Sequence, residues 1–147
     1  MNLKRFVLIL FLLTMLGTAV ACGGQTETAA PAPAAEVALS ETLDLADTVN
    51  VETVASIKDR EDVIVLDVRE QWEYDEGHIP GVTLIPMDEV PNRLAEIPTD
   101  KEVIVTCRSG NRSGQITDFL RQQGFDNVHN MDGGILAWEA AGYDVEQ

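Results

Sequence analysis

A succession of short aliphatic and β-branched runs, separated by amphipathic stretches, constrains this chain more than any other feature. Val63-Ile64-Val65-Leu66 and Val103-Ile104-Val105 are continuously apolar rather than alternating. Strands with that pattern are buried on both faces, which calls for a parallel sheet with helices above and below it. Val82 to Ile85 is a third run, Asn127 to Met131 a weaker fourth, and a short strand near Val49 makes five. Between them, Val90, Leu94 and Ile97 fall at i, i+4, i+7, and Ile116, Phe119 and Leu120 at i, i+3, i+4, the spacing of one helical face. Gly124 stands where a helix commonly ends in a left-handed cap, and Ile135 and Trp138 mark a last stripe. The expectation is one α/β domain over residues 47–147, with about five parallel strands and helices on both faces. In such sheets ligands bind outside the carboxyl ends of the strands.

The first 46 residues are of another kind. Lys4 and Arg5 open a short basic start, Phe6 to Leu16 is an apolar run of eleven, and Gly17 to Ala21 are small residues leading to Cys22. This is the layout of a bacterial export signal, and the run is short against the roughly 20 residues of a membrane span. A tilted transmembrane anchor is the competing reading. Ala19-Val20-Ala21-Cys22 resembles a lipobox, with cleavage before Cys22 and a lipid on its sulfur, although Leu is commoner where Ala19 stands. Ordinary signal-peptidase cleavage and a freely secreted form fit the same residues. Residues 1–21 are therefore read as a lipoprotein-type signal peptide and 22–46 as an Ala/Pro-rich tether. About 25 such residues reach roughly 25–30 Å from the membrane. The localisation expected is exported and lipid-anchored, on the outer face of the cytoplasmic membrane or in the periplasm or outer membrane.

Charge limits the partners. With 10 basic and 25 acidic side chains the net charge is −15, and loss of Lys4 and Arg5 with the signal would bring it to −17. A surface this acidic repels nucleic acid and anionic headgroups, leaving an acyl chain on Cys22 as the main hold on a membrane. Two cysteines rule out a disulfide-rich scaffold and leave no quartet for structural zinc.

The strand ending at Thr106 runs into Cys107-Arg108-Ser109-Gly110-Asn111-Arg112, and a helix begins near Ser113. That places a cysteine at the mouth of the sheet, in a curl of backbone N–H groups ahead of a helix N-terminus. Such donors favour a thiolate, a persulfide or a bound oxyanion. Arg108 and Arg112 add two positive charges that should also favour the thiolate, and Gly110 permits positive φ where a Cβ would clash. A free cysteine is otherwise most often a small buried hydrophobe. Two flanking arginines and a glycine argue against that for Cys107.

This loop, through Ser113, resembles the active-site loop of rhodanese domains. Leu66-Asp67-Val68-Arg69-Glu70, Glu73-Tyr74 and Gly77-His78-Ile79-Pro80-Gly81 resemble an upstream signature, and Met131 to Trp138 the closing one. The three motifs occur in order across residues 47–145. Val82 stands where Ala is usual, and Asp144 where Pro often follows the final Gly-Tyr. The resemblance implies sulfur transfer in two steps through a Cys107 persulfide, from thiosulfate or a related small anionic donor to cyanide or a thiol. It implies Arg108, Ser109, Gly110, Asn111, Arg112 and Ser113 as the substrate-binding loop, with no metal and no organic cofactor. A protein sulfur acceptor is a further partner it leaves open.

Other marked residues take structural readings. Asp67 and Arg69 are expected to brace the loop by ion pairing, and Glu70 and Glu73 to be helix-start charges on a solvated face. His78 reads as a hydrogen-bonding turn residue, and His129 has no visible partner. Trp72, Tyr74 and Trp138 read as helix–sheet packing. The Gly133-Gly134 turn suggests close backbone approach to the loop. Two rival functions remain. Cysteine phosphatases and arsenate reductases place five residues between Cys and Arg, whereas four separate Cys107 from Arg112. A tethered persulfide carrier or redox-binding module, acting with a protein partner and turning over small donors weakly, fits the same residues.

Overall fold

The computed structural model describes residues 43–147. The basic start, the apolar run, Cys22 and the tether as far as residue 42 lie outside the described residues. Five strands form one sheet: β1 (Thr48–Val49), β2 (Val63–Asp67), β3 (Thr83–Leu84), β4 (Glu102–Thr106) and β5 (Val128–Met131). Their order is β1-β5-β4-β2-β3, and every pair is parallel. The helices are α1 (Val51–Ile57), α2 (Gln71–Glu76), α3 (Asn111–Gln122) and α4 (Gly134–Ala140). This is the expected architecture, and its physical basis is the two-residue period of the central strands. Val63 and Val65 of β2 and Ile104 of β4 pack with α1 and α4 on one face. Leu66 of β2 with Val103 and Val105 of β4 packs with Ile116 and Leu120 of α3 on the other. Both faces are thus dry, and β4, paired on both edges, places its carboxyl end in the middle of the sheet.

Two expectations need correction. Val90, Leu94 and Ile97 do not lie on an α-helix but on two short 3₁₀ turns, Val90–Asn92 and Leu94–Glu96. Pro98 holds Ile97 in extended backbone, so an α-helical ladder cannot run through Ile97, and the stretch before it takes tighter 3₁₀ turns. Val90 and Ile97 are buried all the same. The second concerns the tether. Leu43 and Leu45 pack against the α1/α4 core, and the Ala46 carbonyl pairs with His129, so these residues belong to the packed domain rather than to a spacer.

Candidate active site

At the carboxyl end of β4 the chain turns at Cys107 and enters α3 through Gly110, which lies in the left-handed region at φ 88°. A Cβ there would meet the Gly133 nitrogen at 3.0 Å. Gly134, at φ 56°, sits closer still. Its Cβ would stand 2.3 Å from the Cys107 carbonyl oxygen and 2.6 Å from the Arg108 carbonyl carbon. The gap left by the two glycines lets the Ile135 and Leu136 amides donate to the carbonyls of Cys107 and Arg108, at 2.8 and 3.1 Å. The first turn of α4 therefore fastens the backbone of the reactive loop, as the Gly-Gly turn suggested.

Cys107 is the one free cysteine among the described residues, and it is buried. The Gly110 amide donates to its Sγ at 3.2 Å and the Ser113 hydroxyl at 3.4 Å. Burial alone would raise the thiol pKa. Hydrogen bonds from the Ser113 hydroxyl and from the amides of Ser113, Ser109 and Gly110 outweigh it, and the thiol titrates below its ordinary value. Loop dipoles and a hydroxyl thus favour the thiolate of this buried sulfur. The arginines contribute less than the sequence suggests, for Arg112 is engaged elsewhere.

Arg112 makes a bidentate ion pair with Glu73, both N···O distances being 2.7 Å. The pairing holds the Glu73 carboxyl below the usual carboxylate range and raises the guanidinium further. Glu73 is a helix-start charge as expected, accepting from the Glu70 amide at 3.1 Å, but it is not solvated: only 11% of its side chain is exposed. Behind it, Arg69 grips Asp67 through Nε and Nη2 at 2.7–3.1 Å, with both residues buried. Arg69 also donates to the carbonyls of Glu73 and Gly77. The Asp67–Arg69 brace is therefore real but indirect. It fixes α2, and α2 fixes Arg112 through Glu73. No local signal marks the last contact, because 39 residues separate its partners.

The remaining loop residues divide. The Arg108 side chain is exposed and has no hydrogen-bond or ion-pair partner among the described residues. Ser109 is exposed, and the Asn111 side chain accepts from Gln115 on the outer face of α3. His78 acts as a turn residue: its Nδ1 lies 3.0 Å from the Tyr74 carbonyl and its ring stacks on Tyr74 at 3.7 Å. His129 does have partners, the Ala46 carbonyl at 2.8 Å and a Glu102 oxygen at 2.9 Å. Trp138 is buried as expected, donating to the Asp144 carbonyl. Trp72 is not, being 62% exposed on the short α2. It borders a cleft of about 450 Å³ between α2 and α4, with Arg108 in its wall.

A family model described as "Rhodanese-like domain" matches residues 50–141. A sulfurtransferase of Allochromatium vinosum is 43% identical over 89 residues, which cover 60% of this chain and 83% of that protein. A thiosulfate sulfurtransferase of Pseudoalteromonas translucida is 34% identical over 93 residues, 63% of this chain and 89% of the relative. Among solved structures, a rhodanese-related protein of Thermoplasma volcanium aligns with a TM-score of 0.63 at 33% identity, over 69% of this chain and 98% of that one.

Proposed function

Because the chain belongs to the rhodanese-like family, a family of sulfur-transfer domains, we propose that it is a sulfurtransferase working through a persulfide on Cys107. In the first half-reaction the Cys107 thiolate attacks the outer sulfur of thiosulfate or a related donor. The donor's S–S bond breaks, sulfite leaves with the electron pair, and Cys107 carries the transferred sulfur as a persulfide. In the second, cyanide or a thiolate attacks that outer sulfur, and the electron pair returns to Cys107 as thiolate. Loop amides that already favour negative charge at Sγ can follow it outward to the second sulfur, about 2 Å further along the S–S bond. Arg108 supplies the cation that meets an anionic donor, while Arg112, neutralised by Glu73, keeps the loop in shape. The observation that carries this reading is the convergence of the Gly110 amide and the Ser113 hydroxyl on one buried cysteine sulfur.

Thiosulfate:cyanide sulfurtransferase activity, measured beside Cys107→Ser, tests it. Turnover in the parent and none in the variant is the expected result. Equal thiocyanate release by both would overturn it. The export signal and a lipid on Cys22 remain part of the proposal, supported by residues 1–22 as a sequence. Labelled fatty acid incorporated by the full chain and not by Cys22→Ser is the matching test.

A further inference from the structure

The cleft beside Arg108 carries a pattern of charge that an inorganic dianion does not call for. Its walls are two helix faces. On α2, Trp72 and Glu76 stand at i and i+4, and on α4, Leu136 and Glu139 stand at i and i+3. Each wall thus presents one apolar side chain and, a turn further on, one carboxylate. Trp72 and Leu136 are 62% and 46% exposed and border the same space. Arg69 and Glu73, also in the lining, are already neutralised by Asp67 and Arg112. Neither Glu76 nor Glu139 has a side-chain partner among the described residues. The uncompensated charges are therefore one cation next to the nucleophile and two carboxylates farther out.

The axial order follows from the backbone. The Ile135 amide bonds the Cys107 carbonyl, and Glu139 lies four residues on, about 6 Å along the helix axis. At about 450 Å³ the cleft falls within the roughly 300–1,000 Å³ of sites that hold organic ligands.

We propose that this cleft takes a small organic thiol, or its persulfide, bearing both a carboxylate and an ammonium group. The carboxylate meets Arg108, the ammonium meets Glu76 and Glu139, and Trp72 covers the ammonium with its ring face. This assignment rests on the sulfur-transfer reading and names its organic substrate class. The acceptor thiolate attacks the outer sulfur of Cys107–S–SH, forming one S–S bond while the old one breaks. The electron pair returns to Cys107 as thiolate, and R–S–SH leaves. No external oxidant or reductant enters, and the reverse direction loads the protein from an organic persulfide.

The test uses the full chain, loaded with inorganic polysulfide and discharged by L-cysteine, cysteamine or 3-mercaptopropionate, with rates compared per thiolate. We expect cysteine to outrun 3-mercaptopropionate by on the order of 10-fold, and Glu76→Gln/Glu139→Gln to bring that ratio below about 3-fold. Trp72→Ala should slow cysteine and cysteamine more than it slows 3-mercaptopropionate. A loaded protein that all three thiols discharge equally, or that 3-mercaptopropionate discharges fastest, overturns this inference alone. So does a cysteine preference that the double variant leaves intact. Cysteamine matching cysteine would remove the carboxylate from the assignment and overturn the zwitterionic class. Failure to form any persulfide on Cys107 would defeat the sulfur-transfer reading, and this inference with it.

Discussion

Two helices of this domain begin in opposite ways. At the start of α1, Asn50 accepts from the Thr53 amide at 2.9 Å, so the chain itself satisfies an orphan donor of the first turn. At the start of α3, Gly110 has no side chain to offer, and the donors of the loop and first turn converge on the Cys107 sulfur. The first arrangement serves only the fold. The second leaves donors for the Cys107 sulfur, the atom that the proposed function makes the nucleophile. Gly133 opens α4 without a side-chain cap as well, but there the free amides go to the carbonyls of Cys107 and Arg108. One N-terminus holds sulfur, and the other holds the loop that carries it.

Substitutions can break or sharpen this contrast, and the effects should fall in a definite order. Cys107→Ser removes the nucleophile, and sulfur transfer should drop by on the order of 10³-fold or more with the thermal midpoint little changed. Gly134→Ala drives a Cβ into the Cys107 and Arg108 backbone at positive φ. It should lower unfolding free energy in urea by about 3 kcal/mol and take most activity with it. Gly124→Ala, also at positive φ but with open space around it, should lose only about 1 kcal/mol and leave turnover intact.

Smaller effects separate the anion-holding groups from their supports. Ser113→Ala removes the hydroxyl that most lowers the thiol, so the pH profile of Cys107 alkylation should move upward and transfer should slow by about 3- to 10-fold near neutrality. Glu73→Gln frees Arg112 from its bidentate partner and should weaken the domain by about 1–2 kcal/mol. Since folding lowers the Glu73 pKa, that contribution is present above the ordinary carboxyl value of about 4.3 and is lost as the pH falls through the lowered one. Urea midpoints of parent and variant should therefore converge on acidification. Asn50→Ala should cost about 1 kcal/mol and leave every kinetic parameter alone, because that N-terminus faces no reacting atom.

The sheet was legible because parallel strands buried on both faces leave continuous apolar runs such as 63–66 and 103–105. The reactive loop was legible because its cysteine, arginines and glycine stand within six consecutive residues. Distance hid the rest. Glu73 reads as an ordinary helix-start carboxylate until folding brings Arg112 to it, and His129 reads as partnerless until Ala46 and Glu102 arrive. Trp72 misleads for a different reason: a six-residue helix can hang by its Glu73 carbonyl from the Arg69 guanidinium and leave its tryptophan in solvent. The 90–97 stripe has helical spacing, but Pro98 holds Ile97 in extended backbone, and 3₁₀ turns still bury Val90 and Ile97.

The central claim is that the donors around Cys107 exist to hold transferred sulfur, and intact mass measurement on the full chain tests it most directly. After exposure to thiosulfate or inorganic polysulfide, the protein should gain the mass of one sulfur atom, located by peptide mapping on Cys107. Cyanide or cysteine should remove that mass, and Cys107→Ser should never acquire it. A parent protein that consumes donor at full rate without any sulfur appearing on Cys107 would contradict the account.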